Sequence, residues 1–425
     1  MGNKIYLPRL IDVKVTQYLS AFGSVCIEGP KWCGKTMTSQ HHCKSTFFVG
    51  APANNFSNRA LAQMDPSVIL EGDTPRLIDE WQEVPAIWDA VRYAVDQRGE
   101  KGQFILTGSS TPNRKGILHS GAGRIAMLRL RPMSLYETGA SSGKVSLKDL
   151  FDNPIPTLLT GEVNLHILID YIIRGGWPGN IETDNKLAHL VPQQYIDALI
   201  NEDINRMDGV TRDLKKIRLL LRSLARNEST CATNRTLKND IKEIDDKDID
   251  IATVAEYLNL FERLFLLDNQ KPFSSNIRSS VRVKQSEKRH FSDPSLACAL
   301  LGATPATLFA DLETLGFLFE ALCVRDLRIY AETNDAKLFH YQDYNNNEID
   351  AVVEMPDGTW GAFEIKLGAN QIDKAAKNLL RIKKGIEKDP KGKPPKMLCI
   401  ICGLSNAAYV RPDGVYVVPI TALKN

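Results

Sequence analysis

One short stretch constrains this chain more than any other. Gly29-Pro30-Lys31-Trp32-Cys33-Gly34-Lys35-Thr36 fits G-x-x-x-x-G-K-[ST] in full, with an apolar run ending in Gly before it (SVCIEG) and a segment that reads as a helix from Lys35 onward. The glycines let backbone N–H groups turn inward around phosphate oxygens, and the helix start adds the positive end of its dipole. On this pattern Lys35 reaches the β- and γ-phosphates of a nucleoside triphosphate and the Thr36 hydroxyl ligates Mg²⁺. The nucleotide-binding set expected from it is Gly29, Pro30, Lys31, Trp32, Cys33, Gly34, Lys35, Thr36 and the adjoining Met37, with ATP and Mg²⁺ as the ligands.

A strand–loop–helix opening of this kind belongs in a parallel sheet whose ligands sit at the C-terminal strand ends. The next segments agree. Pro75–Glu80 (PRLIDE) is an apolar run ending in two acids, Ala86–Asp96 reads as a helix, and GQFILTGSS is a further strand ending in hydroxyls. Asp79 is placed to support the metal, and Glu80 to polarise an attacking water as general base. Ser109, with Thr107 as the competing hydroxyl, is a candidate for sensing the γ-phosphate or positioning that water. Arg124, in GAGRIAML, is the favoured charge-stabilising arginine, acting within its own chain or on a neighbouring copy, with Arg129 and Arg131 as competitors.

Taken in order, GPKWCGKT, LIDEWQEVP, FILTGSS, GRIAMLRLRPMSLYE and IIRGGWPG resemble the bacterial and archaeal AAA-type ATPases that carry a C-terminal domain of unknown function. The resemblance covers essentially the whole chain. It implies ATP hydrolysis, with Lys35, Thr36, Asp79, Glu80, Ser109 and Arg124 in the roles given above. That family often has Arg where Lys31 stands, a position outside the phosphate-contacting set.

The expected fold is α/β with a helical middle: a P-loop NTPase core of AAA type over residues 1–140, a helical lid over 141–214, a helical segment open to a winged-helix reading over 215–304, and an α/β domain over 305–425. Leu308–Tyr330 reads as one long helix. LFHYQD, EIDAVVE and TWGAFEIKL read as strands separated by the turns YNNN and MPDG, and MLCIICGL and VYVVPI as closing strands.

Strand alternation puts Glu364 and Lys366 on one side of their strand and Glu348 and Asp350 on one side of theirs. Pairing through MPDG brings Asp350, Glu364 and Lys366 together, and two carboxylates with a lysine are able to hold a metal and its water. This Asp…Glu-x-Lys order is similar to the restriction-endonuclease-like nuclease core, which begins with an acid-bearing helix. Glu320, with Glu313 as its competitor, suits that place. The plain alternative is a solvated hairpin face on which Lys366 pairs with Asp350.

Composition narrows the rest. A formal net charge of +2, with 43% hydrophobic and 24% charged residues, describes a globular chain in which any basic surface is local. The local candidate is Lys374–Lys396, equally readable as a solvated helix face. No apolar run is long enough to span a membrane and no secretory leader is evident, so no membrane partner is expected. Eight scattered cysteines, with Cys399 and Cys402 in an apolar run, point to reduced core thiols and a cytoplasmic setting. Two functions compete, with a small-molecule kinase as a third that the Asp79–Glu80 pair and the appended domains argue against. One is an ATP-driven, DNA-associated machine with a nuclease-like module. The other is a regulatory ATPase, acting on a protein partner or as a homo-oligomer, whose C-terminal domain does not cut.

Overall fold

The computed structural model describes residues 6–111, 117–207, 209–242, 249–276, 278–343 and 347–425. Residues 344–346 of the YNNN turn and much of the charged stretch after Lys242 lie outside the described residues. The chain forms two compact units: one built on residues 1–132 with 202–211 and 259–266, the other from 133–201, 212–258 and 267–425.

The first unit is a three-layer α/β structure. Its helices α1 (Asp12–Ala21), α2 (Lys35–His42), α3 (Ala53–Met64) and α4 (Ala86–Arg98) accompany a sheet of β1 (Ser24–Glu28), β2 (Ser45–Phe48), β3 (Arg76–Asp79), β4 (Phe104–Gly108) and β5 (Ile125–Arg129). The sheet is wholly parallel, in the order β2-β3-β4-β1-β5. Burial on both faces explains the near-continuous apolar strands: SVCI and FILT have no exposed position. Helix α4 packs Ile87, Trp88, Val91 and Val95 into a core shared with Cys26, Ile78, Phe104 and Leu106. Placing β4 between β1 and β3 aligns three strand ends, since Ile27 faces Thr107 and Ile78 faces Leu106.

The second unit holds an eight-stranded mixed sheet in the order β7-β13-β14-β12-β11-β10-β9-β8. Its centre is β9 (Lys337–Gln342), β10 (Glu348–Glu354) and β11 (Trp360–Lys366), antiparallel to one another. β12 (Met397–Cys402) and then β14 (Tyr416–Pro419) continue parallel to β11. β13 (Ala407–Val410) and the two-residue strands β7 (Leu158–Leu159) and β8 (Lys271–Pro272) extend the edges, while β6 (Val145–Ser146) pairs separately with β15 (Leu423–Lys424). The helix Ile372–Glu387 covers the sheet with Ile372, Ala375, Ala376, Leu379 and Ile382, and its lysines 374, 377 and 384 face solvent. Buried Trp360, Phe273 and Val417 join that core.

Three of the expected strands coincide with β9 to β11 and two more with β12 and β14. The long helix differs. It breaks at Asp311, which caps Leu312–Thr333 by accepting from the Thr314 N–H at 3.0 Å, after a separate turn of helix over Pro305–Ala310. An Asp there satisfies an otherwise orphaned helix-start amide, which the apolar spacing alone does not reveal.

Candidate nucleotide site and a C-terminal ion cluster

At the C-terminal edge of the parallel sheet, the loop after β1 folds back toward the segment after β5. A Cβ at Gly29 would drive into the Leu130 carbonyl oxygen, so only glycine fits that approach. Gly34, at φ 104°, adopts a left-handed conformation immediately before α2. The Lys35 ammonium is buried and donates to the carbonyls of Gly29 (3.0 Å) and Pro30 (2.9 Å). Cys33 is buried, with its thiol toward the Leu130 carbonyl at 3.5 Å. Trp32 is exposed, Met37 is half-buried, and Lys31 reaches Asp203 at 2.6 Å.

Across from the loop, Asp79 Oδ1 accepts from the Thr36 hydroxyl at 2.9 Å and from the Thr107 hydroxyl at 2.7 Å. Burial pushes its carboxyl above the ordinary range, and the two hydroxyls work against that. Thr107 Oγ1 also accepts from the Glu80 N–H at 3.0 Å, so one hydroxyl fixes both acids. Glu80 sits at φ 58°, an uncommon conformation for a non-glycine residue, and its Oε2 accepts from Ser109 Oγ at 2.9 Å and from the Gln82 amide. Ser109 and Gln82 touch each other at 3.2 Å.

The structure thus brings together Lys35, Thr36, Asp79, Glu80, Thr107 and Ser109. It does not bring Arg124 to them within the chain. Arg124 precedes β5, and its carbonyl accepts from the Ser24 N–H at the N-terminal edge of the sheet, the end opposite the phosphate loop. Its guanidinium is half-exposed and paired with Asp96 at 2.8 Å. Arg129, opposite Glu28, lies at the C-terminal edge, as does Arg131 beyond it. Burial raises the Glu28 carboxyl, and the Arg129 charge opposes the rise.

Two neighbours escaped the sequence reading. Gln82 follows the acid pair by two residues but carries no motif. Arg9 is buried, and its guanidinium donates to the carbonyls of Cys33 (2.9 Å) and Arg131 (2.8 Å), bracing the loop from a distant part of the chain.

In the second unit, Asp350, Glu364, Lys366 and Glu320 do converge, and Glu313 is not among them. β10 carries a bulge in which Asp350 and Ala351 together oppose His340. This re-aims Asp350, whose Oδ2 accepts from the Ile365 N–H at 2.8 Å and from Lys366 Nζ at 2.9 Å. Lys366 also contacts Glu364 Oε2 at 2.6 Å, and Asn378 donates to Glu364 Oε1 at 2.7 Å. A fifth charge is present that the motif did not announce. Buried Lys288 bonds Glu320 and lies 3.8 Å from Asp350 Oδ1.

Burial raises the Glu320 carboxyl to about 7 despite Lys288. Burial and then the neighbouring Asp350 charge push Glu364 upward. Asp350 goes the other way: burial opposes ionisation, but Lys366 and Lys288 together outweigh it. The Cys399 and Cys402 thiols are buried and free, and burial raises both.

Residues 22–139 match the family model described as an AAA domain, so the chain carries an AAA-type P-loop ATPase domain. Residues 165–307 and 315–423 match two families described only as domains of unknown function, DUF8612 and DUF4143. Two relatives, the uncharacterized proteins Rv2008c of Mycobacterium tuberculosis and Mb2031c of Mycobacterium bovis, are each 23% identical over 350 residues, covering 80% of this chain and 70% of theirs. Among solved structures, the Walker-type ATPase PabY2304 of Pyrococcus abyssi aligns with a TM-score of 0.42 at 12% identity, over 68% of this chain and 94% of that one. Among the described residues no helix is long and apolar enough to cross a membrane.

Proposed function

We propose that the first unit hydrolyses ATP with Glu80 as general base. The observation that carries this reading is the joining of the loop's Thr36 to Asp79 at 2.9 Å, beside a glutamate carboxylate held by Ser109. Thr36 and Asp79 offer a hydroxyl and a carboxylate, the hard oxygen donors that suit Mg²⁺. Bound there, Mg²⁺ would supply charge neutralisation at the β- and γ-phosphate oxygens. The chain's own groups do the rest. Lys35 exchanges its two carbonyl partners for phosphate oxygens, the loop amides cradle the phosphates, and Glu80 withdraws a proton from the attacking water. Ser109 holds the Glu80 carboxylate in place until that water arrives. Arg124, at the far edge of its own sheet, is available only to the site of another copy, while Arg129 and Arg131 are the intrachain candidates.

Turnover by wild type, Lys35→Ala and Glu80→Gln tests the reading. Nucleotide binding retained with hydrolysis lost in Glu80→Gln supports it. Unchanged turnover in Glu80→Gln would sink it.

For the second unit, the run of helix Leu312–Thr333, β9, β10, β11, helix Ile372–Glu387 and β12 has the element order of a restriction-endonuclease-like core and supports that fold reading. A DNA-cutting role is weakened by a second ammonium, that of buried Lys288, lodged between Glu320 and Asp350 beyond the Lys366 that the pattern itself contains. We therefore favour a regulatory, reducing-compartment ATPase whose C-terminal domain binds a partner without cutting. The experiment is ATP turnover and DNA retention measured across a salt series. DNA-stimulated turnover together with Mg²⁺-dependent cleavage would restore the nuclease reading.

A further inference from the structure

The ion cluster of the second unit forms a row of alternating sign: Glu320, Lys288, Asp350, Lys366, Glu364. Each acid is already engaged. Asp350 Oδ2 takes the Ile365 N–H and Lys366, and its Oδ1 faces Lys288. Glu364 takes Asn378 on one oxygen and Lys366 on the other. A divalent metal needs several oxygens converging at about 2.0–2.6 Å. Among the described residues, no three His, Cys, Asp or Glu side chains are arranged to hold one. The donors present therefore do not fit Mg²⁺ as they stand.

Lys366 belongs to the Glu-x-Lys pattern, but Lys288 does not. Its backbone is fixed by a reciprocal pair with Gln270, both bonds 2.9 Å, and the Gln270 side chain donates on to the Asp350 carbonyl at 3.4 Å. The ammonium is thus delivered by a pinned backbone on a different part of the chain, with 5% of the residue exposed. A lysine this buried persists only where carboxylates offset its desolvation.

We propose that Lys288 is the resident cation of this cluster, joining Glu320 to Asp350 in place of a divalent metal, and that replacing it with a neutral side chain opens a divalent-cation site between Glu320 and Asp350. Removing one ammonium leaves buried carboxylates in excess, and a hard cation is the ligand that relieves them. The assignment is independent of the ATPase reading, because every residue in it lies in the second unit.

The test is Mn²⁺ titration of the nucleotide-free full-length chain, followed by the EPR signal of free Mn²⁺. Wild type, Lys288→Met and Lys288→Arg are compared, each with and without Asp350→Asn. Wild type and Lys288→Arg are expected to show no Asp350-dependent binding. Lys288→Met gains one Asp350-dependent site, at least about tenfold tighter than any wild-type binding. Asp350-dependent uptake by wild type would overturn the proposal. So would a Lys288→Met chain with wild-type circular dichroism and melting that gains nothing. Should Lys288→Met not fold, wild type against Asp350→Asn and Glu364→Gln still decides: uptake lost in either variant refutes a resident lysine, and no uptake in any of the three upholds it.

Discussion

At the scale of single residues, the nucleotide site separates binding from chemistry. Lys35 is buried against two loop carbonyls, so Lys35→Ala removes the cation that the β- and γ-phosphates would take over and should abolish measurable ATP binding in calorimetry. Glu80→Gln keeps the shape of the side chain but not its basicity. Nucleotide affinity should stay within about threefold of wild type, while turnover falls by roughly 100-fold or more, the usual worth of a general base. A Glu80→Gln enzyme with near-normal turnover would pass the role to another group.

The residues of this site were legible in the sequence to different degrees. Lys35, Thr36, Asp79 and Glu80 stand out because phosphate and metal chemistry demands the first two at a loop-to-helix start and the acids at a strand end. Thr107 and Ser109 were visible only as alternatives, and the structure gives them different partners: Thr107 fixes both acids and Ser109 holds the Glu80 carboxylate. Gln82, Arg9 and Lys288 carry generic chemistry, and only the fold brings them near their partners.

At the scale of elements, strand alternation foretold that Asp350, Glu364 and Lys366 would meet, but not the bulge that aims Asp350 at the Ile365 amide. A bulge is an extra residue in one strand relative to its partner, and one strand read alone has no partner to compare. The helix Leu312–Thr333 contributes Glu320 to this cluster and Arg325 and Asp326 to a second buried one. Arg325 bonds Asp326 at 2.7 Å and Asp293 at 2.8 Å. Those acids in turn accept from the N–H groups of Leu135 and Gly176, both at 2.9 Å. Arg325→Met strands two buried carboxylates and should lower the stability of the second unit by about 3–5 kcal/mol, read as the shift of its urea transition.

Glu320 gives the same element a pH signature. Its folded pKa, about 7, lies above the ordinary 4.5. The folded state therefore holds a proton that the unfolded state has released, and stability contributed by this group falls as pH rises from about 4.5 to about 7. Glu320→Gln should flatten that fall, by up to roughly 1 kcal/mol per pH unit, in urea midpoints measured across the window. A slope unchanged by the substitution would mean that Lys288 keeps the carboxylate ionised throughout.

At the scale of the whole molecule, the strength of the phosphate-loop pattern and the weakness of the C-terminal one have the same origin. A triphosphate site is local: one strand, one loop and one helix start supply most of it, so its signature survives in a linear reading. The C-terminal cluster is assembled from a helix, two strands and the separate segment bearing Lys288, and the residue that decides its chemistry is the one farthest from the motif. This bears on DNA. A chain with 53 basic and 51 acidic residues has little long-range pull on a polyanion, and the exposed lysines of helix Ile372–Glu387 are one local concentration of positive charge. If those lysines grip a phosphate backbone, retention should fall steeply with salt, because each neutralised phosphate releases a counterion. Cutting requires more, namely a metal among carboxylates two of which, Glu320 and Asp350, the Lys288 ammonium already joins. Supercoiled plasmid incubated with wild-type protein, Mg²⁺ and ATP should therefore remain intact in a gel assay, and Glu364→Ala should make no difference. Nicking that disappears in Glu364→Ala would show that the Lys288 ammonium yields to the metal, and would restore the nuclease reading.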